Sequence, residues 1–311
     1  YDAVFKALDA DAAVAGSYLS VTDGTTFRKT LQQMLPDHAG GVFETVTQGS
    51  RSTARILSDA HAPFADQGGW GFWLQQSVWG TSKGLGDTSS YDVTGWGFSG
   101  GAEIKTQGAG NFGLSLAYLA GSDGDGDTSN EVNTGQYELA AYWRTAKGPL
   151  HAHARASAAM INLDGSRVFL GTSNGQAVER TATGKWDGTL LSASAGVAYE
   201  VKLGSRFSLR PSVAIDYYRL KEDGYTETGG GDAFNLTVDG RTSDELAATG
   251  TMVAGLDFGG RDEGSSWMRA EIEGGRRQIV SGTLGATTAR FKNGQDFTLL
   301  PEERTDGWVG A

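Results

Sequence analysis

Arg51 and Arg55 stand four residues apart in GSRSTARILSD (49–59), a spacing that places both guanidiniums on one face of a helix. Two fixed cations on one face do no bond-breaking chemistry alone; they hold carboxylates. Acids that could answer them are spread over the downstream chain at Glu103, Glu138, Glu200, Asp216, Glu245, Asp257, Glu271 and Glu273, interleaved with Arg144, Arg155, Arg210 and Arg269. The expected partners are Glu138, Glu271 or Glu273; the alternative is a helix packed elsewhere, or lying in a linker. His151 and His153 share one side of a strand and form a chelating pair in principle. With no acid cluster beside them, they read as two polar residues near a turn. SDGDGDTSNE (122–131) has the composition of a calcium loop but not the spacing that puts Gly at its sixth position and Glu at its twelfth, so it reads as a solvated loop. No nucleophile elbow, phosphate-binding loop or zinc motif occurs. No catalytic residue, metal or cofactor is expected.

The elements that would position these charges alternate with a period of two. In FSLRPSVAIDYYRL (207–220), Phe207, Leu209, Pro211, Val213, Ile215 and Tyr217 fall on one face, while Arg210 and Asp216 fall on the other. The same pattern predicts nine strands at 69–80, 91–104, 111–121, 134–145, 149–161, 188–201, 206–220, 244–258 and 266–277, with a tenth beginning at 306. Across strands two to nine the oily face is expected to carry no charge except Asp92 at a strand end. The charged positions Glu138, Arg144, Arg155, Glu200, Arg210, Asp216, Arg269, Glu271 and Glu273 share the wet face. Strand one is ambiguous, because Trp70, Phe72, Leu74 and Val78 oppose Trp73 and Trp79. The connections are tight after even strands and long after odd ones, including 162–187, 221–243 and 278–305. Sorted hairpins of this kind suit an up-and-down antiparallel membrane barrel with a polar lumen, and a cation turned to mid-bilayer lipid would cost about 2–4 kcal/mol. A soluble sandwich with its oily faces turned inward is the competing architecture.

Residues 1–66 differ. Phe27, Leu31, Met34 and Leu35 have helical spacing before Pro36, and a second helix is predicted over 42–59, although Gly49 weakens it. That helix would be about 27 Å long, close to a hydrocarbon core of about 30 Å. Two segments are therefore expected: a helical linker and pore helix over 1–66, and a barrel over 67–311. The chain has no cysteine, which excludes disulfides and thiolate metal sites. Its 47 glycines and 5 prolines suit turns and strands, and a net charge of −11 argues against a nucleic-acid partner.

Several stretches together carry a resemblance: GWGFWLQQSVWG (69–80), YDVTGWGFSGGAEIKT (91–106), FGLSLAYLAG (112–121) and FSLRPSVAIDYYRLKEDGYTETGGG (207–231). In their order and spacing they resemble the translocator β-domain of autotransporters, the type V secretion proteins. The resemblance implies a twelve-stranded barrel in the outer membrane of a Gram-negative bacterium, in contact with lipid. It also implies an N-terminal passenger at the cell surface, a helix threading the pore, and assembly by the barrel-insertion machinery with periplasmic chaperones. Members end in an aromatic residue; this chain stops at Ala311, early in the tenth strand, so the natural protein is expected to continue. Some members cut the passenger free at an Asn–Asn bond in the pore. Here the first asparagine is Asn111, so that reaction lacks its residue. A porin-like diffusion channel and a soluble β-rich adhesin are the competing functions.

Overall fold

The computed structural model describes residues 2–58, 69–84, 88, 90–106, 108–124, 128–259, 266–301 and 307–310. Four helices come first: α1 (Asp2–Leu8), α2 (Ala12–Leu19), α3 (Gly24–Gln33) and α4 (Gly41–Ser58). Asp11 and Asp23 cap α2 and α3, each carboxylate accepting two backbone N–H bonds of the first turn. The spacing-based expectation matches α3 and α4; α1 and α2 were not expected. Asp59, the last residue assigned to the second helix, falls outside the described residues, as do His61 and parts of the turns at 107, 125–127 and 260–265.

The strands are β1 (Trp70–Lys83), β2 (Tyr91–Thr106), β3 (Gly110–Gly124), β4 (Glu131–Lys147), β5 (Leu150–Ser173), β6 (Gln176–Tyr199), β7 (Val201–Leu203), β8 (Phe207–Glu222), β9 (Tyr225–Thr226), β10 (Leu236–Val238), β11 (Arg241–Gly259), β12 (Ser266–Ser281), β13 (Thr287–Phe291), β14 (Phe297–Leu299) and β15 (Gly307–Gly310). One large antiparallel sheet runs β1-β2-β3-β4-β5-β6-β8-β11-β12-β15, with β7 beside β8. It curls around α4, which packs against β1 through β6. Among the described residues β1 and β15, the two edges of this sheet, are not paired with each other. No described helix is long and apolar enough to cross a membrane, a finding that does not bear on strands.

The sheet's polarity is inverted relative to a water-soluble core. Phe72, Leu74, Leu116 and Ile272 are 76, 79, 67 and 70% exposed on its outside. Glu103, Glu138, Arg155, Arg210 and Glu245 are buried on its inside. Two stacked inner faces of a sandwich would have reversed this assignment. Strand one is resolved by its tryptophans: Trp73 turns inward and donates from Nε1 to the Tyr142 hydroxyl at 2.8 Å. A Cβ at Gly101 would stand 2.6 Å from that indole, so the glycine makes room for it.

Two sequence expectations are corrected. The oily faces are not charge-free: Arg219 near the upper end of β8 and Arg276 in β12 keep the outward parity and are exposed. The long connections at 162–187, 221–243 and 278–305, too, carry strands of their own. Residues 162–187 continue β5 and β6 into a hairpin of two 24-residue strands, more than twice the ~9–11 residues a membrane crossing needs. It reverses at Asn174–Gly175, whose φ values of 51° and 75° are the left-handed pair that a tight hairpin turn requires. The connections at 221–243 and 278–305 contribute a second antiparallel sheet, β14-β13-β10-β9.

Helices α1 to α3 lie against that hairpin and second sheet. Val4, Leu8, Val14, Tyr18, Leu31 and Met34 from the helices share a core with Phe169, Val178, Phe234, Leu236, Ala289 and Phe291. The result is a small head with a conventional apolar interior at the long-hairpin end of the barrel. Asp11 also pairs with Arg180 of the hairpin at 2.8 Å. Burial pushes its carboxyl upward, but Arg180 and the two capping amides outweigh this and hold it below the usual carboxylate range.

Candidate functional site

The lumen helix α4 divides along its length. Val42, Phe43 and Val46 of its first half join Ile161, Leu163, Trp186, Leu190, Tyr218 and Leu220 of the wall in an apolar cluster near the long-hairpin end. Gly49, a weakness on propensity alone, sits where a Cβ would come 3.1 Å from the Trp79 ring and 3.3 Å from Leu119. Its absent side chain lets the helix approach the β1–β3 wall. Below this point polar contacts predominate, although Leu57 near the end of the helix is buried.

Hydroxyls make the central polar contact. Ser50 Oγ donates to Glu138 Oε2 at 2.5 Å, and Thr53 Oγ1 donates to Glu138 Oε1 at 3.0 Å. Glu138 is ion-paired with Arg155, whose Nη2 also donates to Thr53 Oγ1 at 2.9 Å. Ser157 donates to Glu138 at 3.0 Å and exchanges a 2.6 Å bond with Ser192. The whole group is buried, so each hydroxyl meets part of the hydrogen-bonding demand of a charge pair removed from bulk water.

Arg51 and Arg55 take separate routes. Arg55 Nη2 lies 3.0 Å from Glu273 Oε2. Arg51 does not reach Glu138 or Glu271. It donates to Glu44 one helical stretch earlier at 2.7 Å, lies 3.8 Å from Glu245, and stands over the Tyr218 ring at 5.7 Å. Glu138 is taken by Arg155, and Glu271 by Arg210 at 3.0 Å and Arg269 at 2.7 Å. Those acids are spent on arginines within the wall. Sequence spacing put the carboxylates on the right face but did not show which cation each would meet.

The other candidate lining residues are distributed around the wall. Arg144 grips Glu103 through two nitrogens at 2.6 and 2.8 Å, reinforced by Asn111 at 2.7 Å. Arg269 connects Glu271, Asp257 at 3.1 Å and Glu200 at 3.5 Å. Below and beside α4 is a cavity of about 1720 Å³, bordered by Arg51, Arg55, Arg144, Arg210, Asp216 and Glu273. His151 and His153 border the same space. Among the described residues no group of three or more His, Asp or Glu side chains is arranged to hold a metal ion. Ser50 and Thr53 were not singled out from the sequence, although three residues apart on a helix they share the face that meets Glu138.

A family model for the autotransporter β-domain matches residues 72–311. The chain belongs to this family. As an autotransporter β-domain it is an outer-membrane β-barrel pore that translocates an attached passenger. The translocator domain of the autotransporter NalP from Neisseria meningitidis has the same fold, with a TM-score of 0.59 and 15% identity, covering 88% of this chain and 95% of that one. No curated protein sequence matches the chain.

Proposed function

We propose that this autotransporter β-domain carries its passenger out through the lumen toward the long-hairpin side, and that α4 stays behind as the plug. The observation that supports this reading most is the docking of Ser50 and Thr53 onto the buried Glu138–Arg155 pair, which a chain merely passing through would not need. The short turns then face the periplasm and the head faces the cell surface, as strand hairpins sort in outer-membrane barrels. Residues 1–66 act as linker and plug, and 67–311 as translocator, although the head draws its core from both. Glu138, Arg144, Arg155, Glu200, Arg210, Asp216, Arg269, Glu271 and Glu273 line the pore, with Arg51 and Arg55 on the plug. Insertion relies on the barrel-assembly machinery and periplasmic chaperones, and the domain acts by transport, not catalysis.

The test is single-channel conductance of the complete protein in planar bilayers. Ser50→Val with Thr53→Val removes the helix hydroxyls while leaving the wall pair intact. The expected outcome is a higher frequency of open events with unchanged passenger display. Conductance equal to the parent protein would count against the plug.

A further inference from the structure

Just above the lumen, the chain from the last residue of α3 to the start of α4 crosses the mouth of the barrel past two arginines of the rim. Arg167, on the β5 extension, donates from Nη1 to the backbone carbonyl of Gln33 at 3.0 Å. Arg241, the first residue of β11, donates from Nη1 to the backbone carbonyl of Asp37 at 3.2 Å, and Thr287 Oγ1 donates to the same oxygen at 3.3 Å. Arg167 is buried and Arg241 half-buried, and each is held by a carboxylate of the barrel side. Arg167 meets Glu227 through two 2.7 Å bonds, and Arg241 meets Glu222 at 2.7 and 3.2 Å. Arg167 is fixed further by the Phe234 carbonyl at 2.6 Å and by its stack over the Phe234 ring at 4.3 Å.

Three features separate this pair from ordinary salt bridging. Arg167 is matched by Glu227 and Arg241 chiefly by Glu222, with the linker's Asp37 a more distant second carboxylate. Of the donors left over, Arg167 Nη1 points at the Gln33 carbonyl, and Arg241 Nη1 serves both the Thr287 hydroxyl at 2.7 Å and the Asp37 carbonyl; a peptide carbonyl is a group every residue carries. At Asp37 the side chain is the poorer partner: its Oδ2 stands 3.7 Å from Arg241 and makes no hydrogen bond, while Oδ1 accepts from Ala39 within its own turn. A planar guanidinium satisfied on one edge by a carboxylate keeps its remaining N–H groups in a fixed direction, which a lysine ammonium does not.

We infer that Arg167 and Arg241 form a main-chain binding site at the outer mouth, a grip on the backbone carbonyls that the entering chain presents at a helix end and in the turn after it. Its resident occupant is the 33–37 segment, and its occupants during export are the passenger segments that precede it. This rests on the translocator reading and adds to it a means by which the pore holds unrelated sequences at its exit. The grip also fixes where α4 enters the lumen, because Asp37 lies four residues before the helix begins.

The chain contains no cysteine, so a single thiol at His38→Cys reports on the linker. The complete protein carrying it is reconstituted into liposomes with the head outward, and maleimide labelling is timed. Arg167→Met with Arg241→Met is expected to accelerate labelling at least tenfold, and Asp37→Ala to change it less than twofold. Surface appearance of the passenger in cells is expected to slow in the arginine variant and to remain normal in Asp37→Ala. If the methionine variant does not assemble, the Arg→Lys pair is scored instead, with an expected acceleration of about threefold from lost direction at kept charge. Unchanged labelling in an assembled arginine variant overturns the grip, as does an Asp37→Ala effect equal to that of the arginines. Failure of the unmodified protein to display its passenger overturns the translocator reading; the labelling result still decides the grip.

Discussion

The barrel wall and the outer head are built from the same chain with opposite rules. In the wall, Phe72 and Leu74 are mostly exposed and Glu138 and Arg155 are buried; in the head, Phe169 and Phe234 are fully buried and Asp23 lies at the surface. Strands β5 and β6 pass through both regions without a break. Along β5, Met160 faces outward in the membrane portion, and nine residues later Phe169 faces the head core. The alternation keeps its period while the medium outside changes from lipid to water. The head therefore has to bury its apolar side chains against partners, which it obtains from α1 to α3 and the small sheet. Apolar surface is neutral toward acyl chains but is driven from water by roughly 25 cal/mol per Å².

The difference can be broken from either side. The largest effect is expected from Phe234→Ala, which empties the head core and should cost about 3–5 kcal/mol. Urea unfolding followed by proteolysis of the head should show the loss, with the heat-resistant migration of the barrel unchanged. Phe72→Ala removes the same ring from a lipid-facing site and should leave both readouts nearly unaffected. Equal losses at the two phenylalanines would abolish the distinction.

Next comes Leu116→Arg, near the middle of β3 and opposite Leu139. A cation turned to the bilayer midplane should cost about 2–4 kcal/mol, measured as reduced folding efficiency into lipid vesicles. Arg276, already on the outward face of β12, supplies the comparison. If Arg276→Leu gains as much as Leu116→Arg loses, the two sites lie at the same depth.

The smallest effect is expected at Asp11. Asp11→Ala removes the α2 cap and should destabilise the head by about 1 kcal/mol. Because the folded carboxyl is held below its ordinary value, its contribution is complete above the ordinary carboxylate range. It is lost as pH falls through the acid region toward the lowered folded value. Head unfolding should therefore become easier on acidification in the parent protein, and this part of the pH dependence should be missing in Asp11→Ala.

Much of the wall was legible because strand alternation is a local property. The strands placed at 91–104, 206–220 and 244–258 fall within β2, within one residue of β8, and within β11. Legibility failed where the periodicity continued past the expected membrane boundary. The residues 162–187 carry the same alternation, and the Asn174–Gly175 dipeptide is a hairpin signal that could have identified their reversal. Arg219 and Arg276 show a related miss, since the outward parity was followed only as far as the apolar residues went. Arg167 and Arg241 were overlooked because they fell in segments taken for loops, where no parity predicts a direction.

The sequence by itself determined the inverted barrel, because a period of two with charges confined almost wholly to one face has a single economical arrangement in lipid. It also determined the helix predicted over 42–59, which rests on residues close together in the chain, and the family, which rests on the order and spacing of motifs along 69–231. Only the tertiary structure decided which charge meets which: Glu138 receives Ser50, Thr53 and Arg155, and Arg51 turns to Glu44 and Glu245. Only it showed that the hairpins gather into a head. Apart from Arg51–Glu44 within one helix, these are contacts between residues 17 or more positions apart. Several acids and arginines of equal local merit compete for one lumen, and the curl of the wall and the depth of the helix choose among them.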